Sequence, residues 1–152
     1  MNQAEHSGVQ KWVTDLNNLY KKESALYEID FKPEGFRWID CNDIEHSAIS
    51  VVRADGTSAN SIIVVLNFTP VPLFNYRIGS PFPGEWIEIL NSDAAEYGGQ
   101  GYGNQGKVIA EHIPLHGQPF SLNITLPPLG VLFLKRNEAL KSVQQKDKET
   151  QD

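Results

Sequence analysis

Ser61-Ile62-Ile63-Val64-Val65-Leu66-Asn67-Phe68 is the stretch on which the fold turns. Strand side chains alternate between faces, so the apolar run Ile62–Leu66 points apolar groups both ways. A strand of that kind belongs in the middle of a sheet, buried on two faces. Ala54-Asp55-Gly56, just upstream, has the composition of a turn and predicts an adjacent strand at Ala48–Arg53. Working outward, further strands are predicted at Phe36–Asp40, Tyr76–Gly79, Glu85–Leu90, Lys107–His112, Phe120–Thr125 and Gly130–Leu134. Pro70, Pro72, Pro81, Pro83, Pro114, Pro119, Pro127 and Pro128 all fall between these runs, where a missing amide donor costs the ladder nothing. Short strands at this spacing, with no helical pattern among them, predict a mainly β protein, an antiparallel β-sandwich.

The pattern upstream is different. Val9, Trp12, Val13, Leu16, Leu19 and Tyr20 fall on one stripe of a 3.6-residue period, which predicts one amphipathic helix over 8–22. Ser7 fits the N-cap, Gln10 could complete a capping box, and Lys21 and Lys22 suit the negative end of the helix dipole. Ala25-Leu26-Tyr27 suggests one more turn before Pro33-Glu34-Gly35 breaks the pattern. Beyond Arg136 the chain turns polar and has little to bury. The expected organisation is a helical segment over 1–30, a sandwich over 31–136 and a polar tail over 137–152.

Composition excludes several classes. The chain has 152 residues, 40% of them hydrophobic, and a formal net charge of −6. Such hydrophobic content excludes wholesale disorder, and the acidic balance argues against nucleic-acid binding. No apolar run approaches the roughly 20 residues of a membrane span, and the start lacks a secretory pattern. The one cysteine, Cys41, cannot pair within the chain, which favours a reducing, cytoplasmic setting.

No catalytic motif stands out. Gly101-Tyr102-Gly103-Asn104-Gln105-Gly106 spells G-x-G-x-x-G, but a strand pattern follows it where a dinucleotide site needs a helix. A glycine-rich loop is the better reading, and no cofactor is expected. His6, His46, His112 and His116 are scattered, so no metal site is expected either. Cys41 has no base beside it in sequence. Asn67-Phe68-Thr69 and Asn123-Ile124-Thr125 fit the glycosylation pattern, which a cytoplasmic chain never uses. Aromatics with polar neighbours are the remaining candidates, since sugar rings stack on aromatic faces while their hydroxyls need polar partners. Trp38 and Trp86 read better as core residues. Tyr97 and Tyr102, with Asn91, Asp93 and Asn104 nearby, stay open between core and sugar contact.

Leu66-Asn67-Phe68-Thr69-Pro70-Val71-Pro72, Asn75-Tyr76-Arg77-Ile78-Gly79 and Pro83-Gly84-Glu85-Trp86-Ile87-Glu88-Ile89-Leu90-Asn91-Ser92-Asp93 closely resemble strings near the C-terminus of bacterial 1,4-α-glucan (glycogen) branching enzymes. Tyr97-Gly98-Gly99, Gly103-Asn104, His116-Gly117 and Leu126-Pro127-Pro128-Leu129-Gly130 continue the match in order. Gly8-Val9-Gln10, Asp15-Leu16-Asn17 and Leu19-Tyr20 look like the last barrel helix of those enzymes. The resemblance implies a β-sandwich of the α-amylase C-terminal type. It also implies an absence: the family's nucleophilic Asp, acid/base Glu and second Asp sit on a (β/α)8 barrel of about 250 residues, which this length cannot hold. The expected function is the non-catalytic C-terminal part of a branching enzyme, a supporter of the barrel. Tyr97, Tyr102, Asn91, Asp93 and Asn104 are its candidate contacts with α-glucan or with the barrel. The alternative is a free-standing carbohydrate-binding module. Without a barrel, the helix stripe must dock on the sandwich, pair with a second chain in a homodimer, or fray.

Overall fold

A computed structural model describes residues 3–138 of the chain. Most of the polar tail expected over 137–152 lies outside the described residues. Helix α1 (Gln3–Lys22) is followed by 3-10 turns at Ser24–Leu26 and Pro33–Gly35 and then by eight strands. These are β1 (Phe36–Asp43), β2 (Ala48–Arg53), β3 (Ile62–Asn67), β4 (Leu73–Ser80), β5 (Gly84–Asn91), β6 (Lys107–Ala110), β7 (Phe120–Leu126) and β8 (Val131–Arg136). Six form one antiparallel sheet in the order β1-β2-β3-β8-β5-β6, and β4 pairs with β7 in a second. Every predicted strand is present. The chief shifts are at β1, which continues to Asp43 through two register shifts, and at β4, which starts at Leu73 with an irregularity before Tyr76.

The stretch that opened the sequence reading is central, as its pattern requires. Ile63 and Val65 of β3 face the second sheet and join Trp86, Leu132 and Leu134 against Ile78, Leu122, Ile124 and Leu126. Ile62 and Val64 point the other way and pack with Val51 and Ala25. This outer face of the large sheet is where α1 lies. At the helix's far end Glu23, itself buried, pairs with Lys135 of β8 at 2.6 Å. Ser24 Oγ donates to Asp55 at 2.5 Å, and Arg53 donates to the Leu26 carbonyl at 3.0 Å.

Two expectations are corrected. Ser7 does not cap the helix, because α1 already runs from Gln3 and carries Ser7 within it. Trp38 is no core residue: it is 53% exposed on β1, edge-to-face with Phe36, because β1 is an edge strand of the large sheet. Of the outcomes expected for the apolar stripe of α1, docking on the sandwich is seen for half of it. Trp12, Leu16 and Leu19 are half-buried on the chain's own sandwich, while Val9, Val13 and Tyr20 stay exposed. Asn67 of the first glycosylation pattern is buried, its amide donating to the carbonyls of Val71 and Pro127 and accepting from Thr69.

Candidate functional site

The residues singled out around the glycine-rich loop come together at one end of the large sheet. Asn91 ends β5 and accepts the Asp93 N–H at 2.9 Å, an Asx turn that throws the chain out of the sheet. Asp93 then accepts the N–H groups of Gln100 at 3.1 Å and Tyr102 at 2.9 Å, drawing the far side of the loop back to its root. The Asn91 amide donates to the Tyr102 carbonyl at 2.8 Å and to Glu88 at 3.2 Å. Gly103 passes so close that a Cβ there would lie 2.6 Å from Asn91 Nδ2. The glycine pattern therefore serves close packing of backbone over side chain, as the loop reading expects.

Asn104 closes the gap between the two sheets. Its N–H and its Nδ2 both donate to Glu88 Oε2 of β5, at 3.0 and 2.9 Å. Nδ2 also donates to the Thr125 carbonyl of β7 at 3.0 Å, and the Thr125 N–H donates to Asn104 Oδ1 at 2.8 Å. The amide thus pairs with the β7 main chain as a neighbouring strand residue would.

Tyr97 faces the other way, onto α1. Its ring meets Trp12 edge-to-face at 5.2 Å, and its hydroxyl donates to Asp15 at 2.6 Å. Lys11 Nζ pairs with Asp15 at 2.7 Å and Glu96 at 3.2 Å, and lies 5.5 Å from the Tyr97 ring centre. Helix and loop touch so closely at Gly8 that a Cβ there would stand 2.5 Å from the Tyr97 carbonyl oxygen. Sequence reasoning found Tyr97 but not its partners Gly8, Lys11 and Asp15. Their signal was weak, since charged residues beside a helical stripe usually face water. Tyr102 rests edge-to-face on the exposed Phe74 at 5.9 Å. Of the five candidates, Asn91, Asp93 and Asn104 thus shape the loop, Tyr97 holds α1, and Tyr102 keeps a half-exposed ring.

The seat of α1 carries its own electrostatics. Hydrogen bonds from Lys11 and then Tyr97 hold the Asp15 carboxyl below the usual carboxylate range. Burial and the bond to Asp15 push the Tyr97 phenol up to about 12. A carboxyl lowered by folding stabilises the fold above its unfolded pKa of about 4, and that contribution disappears as pH falls through the lowered value. Acid should therefore loosen the seat. The Trp12 indole signal in a nitrogen-15 NMR titration is expected to hold above pH ~5 and to move toward its unfolded position only below pH ~4. A signal unmoved to pH ~2 would show that Asp15 does not hold the helix.

Sheet order, core and the helix on the outer face together define a small antiparallel β-sandwich domain with one docked helix. Residues 38–137 match the family model described as alpha amylase, C-terminal all-beta domain, and the chain belongs to that family. It is 54% identical over 130 residues to the 1,4-alpha-glucan branching enzyme of Aquifex aeolicus, covering 86% of this chain and 21% of that protein. The branching enzymes of Trichormus variabilis and Thiobacillus denitrificans are 47% and 50% identical over 133 and 131 residues. Those matches cover 88% and 86% of this chain but 17% and 18% of the relatives. The chain thus spans about a fifth of the length of the relatives it matches. Among the described residues, no helix is long and apolar enough to cross a membrane, and no three His, Cys, Asp or Glu side chains gather as a metal site would need.

Proposed function

We propose that this chain is the C-terminal β-sandwich part of a cytoplasmic 1,4-α-glucan branching enzyme, which supports the catalytic barrel and supplies no catalytic group. The observation that carries this reading is the seating of α1. A segment resembling the last barrel helix is clamped by Tyr97, Trp12, Asp15 and Lys11 onto a domain of the amylase C-terminal family. The exposed edge of the helix, Val9, Val13 and Tyr20, then faces the rest of the barrel. In this arrangement Tyr97 is the barrel-side contact, and Tyr102 is the glucan-side contact.

Branch formation breaks one glycosidic bond and makes another, and it needs two carboxyl groups at a set separation on a rigid scaffold. By itself the chain is therefore expected to leave the iodine stain of amylose unchanged. Added to a relative's barrel from which the matching segment has been removed, it should restore soluble, active enzyme. Branching by this polypeptide alone would overturn the reading. Strong amylose affinity with no rescue of the barrel would favour a free-standing carbohydrate-binding module. Sedimentation of the separate chain reads the remaining alternative, a homodimer paired through the exposed edge of α1.

A further inference from the structure

Where β1, β3 and β5 begin and β2 and β8 end, a cavity of about 490 Å³ opens at one end of the sandwich. Glu34, Arg37, Ser58, Ser61 and Phe82 are among its walls. Bonds of their own hold these walls in place. The Ala54 N–H donates to the Gly35 carbonyl at 3.2 Å and ties the β2–β3 loop to the turn before β1. Asp55 accepts from Ser24, Asn60 and Thr57, so its charge is spent within the loop and on the chain behind it. Arg136, itself buried, donates to the Ser58 carbonyl at 3.0 Å and to Glu138 at 3.1 Å. Its guanidinium lies 4.3 Å from the Phe82 ring centre.

Three polar groups in the cavity are left over. Among the described residues, the side chains of Arg37 and Glu34 have no ion pair or hydrogen bond, with each other or with any neighbour. Ser61 is only 1% exposed, yet its hydroxyl has no hydrogen-bond partner among the described residues either. A hydroxyl so deeply set is normally paired, by protein or by a bound molecule. A simple anion would suit Arg37 and be repelled by Glu34; a simple cation would meet the reverse. An α-amino acid carries both charges on one carbon. Its carboxylate can take the guanidinium and the hydroxyl, its ammonium the carboxylate of Glu34, and an apolar side chain the Phe82 ring. The volume falls within the roughly 300–1,000 Å³ of small-molecule sites.

We propose that this cavity binds a free α-amino acid with an apolar side chain, its carboxylate held by Arg37 and Ser61 and its ammonium by Glu34. The inference goes beyond the support of a barrel and does not rest on it. The glycine-rich loop that seats α1 leaves β5 at Asn91, the opposite end of the strand from the cavity.

The test is a titration of the 152-residue chain with L-leucine, followed by nitrogen-15 NMR. Amide signals of residues 34–37 and 54–61 are expected to move and to saturate. Isocaproate, which is leucine without its ammonium, and isoamylamine, which lacks the carboxylate, should each bind about tenfold more weakly. Arg37→Gln and Glu34→Gln should each weaken leucine about tenfold, and Glu34→Gln should erase the preference for leucine over isocaproate. Both side chains are exposed and unpaired, so neither change should lower the melting temperature. Inorganic phosphate that moves the same signals and binds more tightly than leucine would overturn the proposal in favour of a plain anion site. Equal binding of leucine and its two analogues would overturn it in favour of apolar contact alone. No movement at these residues under leucine would overturn it outright.

Discussion

Replacing Trp86 by alanine is expected to cost the sandwich about 3–5 kcal/mol, the range for emptying a buried aromatic site. Trp86 is fully buried between the sheets, and its indole N–H reaches the Phe82 carbonyl at 3.4 Å. The cavity would open between β5 and the second sheet, where Ile78, Leu122 and Ile124 are themselves fully packed and cannot easily collapse inward. Since whole domains are stable by only about 5–15 kcal/mol, the loss is a large share. A fall in melting temperature on the order of 10–20 °C should follow. Glucan affinity at temperatures where the variant is still folded should be unchanged. An unchanged melting curve with lost glucan binding would reverse the assignment and make Trp86 a sugar platform.

The second large effect is expected from the smallest change. Gly8→Ala in an exposed helix would stabilise it by about 1 kcal/mol, because alanine is the better helix former. Here the added methyl group would lie 2.5 Å from the Tyr97 carbonyl oxygen, far inside van der Waals contact. The helix must move away, which loosens the Trp12 ring contact and the Asp15 bond to Tyr97. Half-burial of Trp12, Leu16 and Leu19 is worth roughly 2–4 kcal/mol, taken as half the full-burial value for large side chains. A helix of this length does not hold its shape alone in water. Amide exchange over residues 9–22 should then accelerate while the strands keep their protection. Alanine that raises the melting temperature with α1 still protected would show that the close approach does not constrain the helix.

What could be read from the chain without coordinates was whatever repeats at a fixed period. Ile62–Leu66 announces a strand covered on both sides, and β3 packs into both clusters. The stripe from Val9 to Tyr20 announces a helix, though not which half of the stripe meets the sandwich. Trp38 shows the limit of composition. A tryptophan in a strand pattern looks like core, but only the sheet order reveals that β1 is an edge. The helix start was misplaced because Ser7 has the chemistry of a cap, yet the turns before it, carrying Gln3 to His6, are helical too. The glycine-rich loop was legible as a loop, and its internal bonding was not. Asn91, Asp93 and Asn104 could equally have offered their polar atoms to solvent or to a ligand.

Beside the main-chain bridge of Glu111 and Ser121, one side-chain amide ties the two sheets together, and that gives the seam an age. Slow hydrolysis of the Asn104 side chain would exchange a nitrogen for an oxygen and change little in shape. Nδ2 donates both to Glu88 Oε2 and to the Thr125 carbonyl, so the new oxygen would face two acceptors, one of them an anion. A bond that joined β5 to β7 would become a repulsion at the same spot, with no residue lost and no contact rearranged beforehand. An Asn104 aged in this way would loosen the seam at the point where it now ties Glu88 to Thr125.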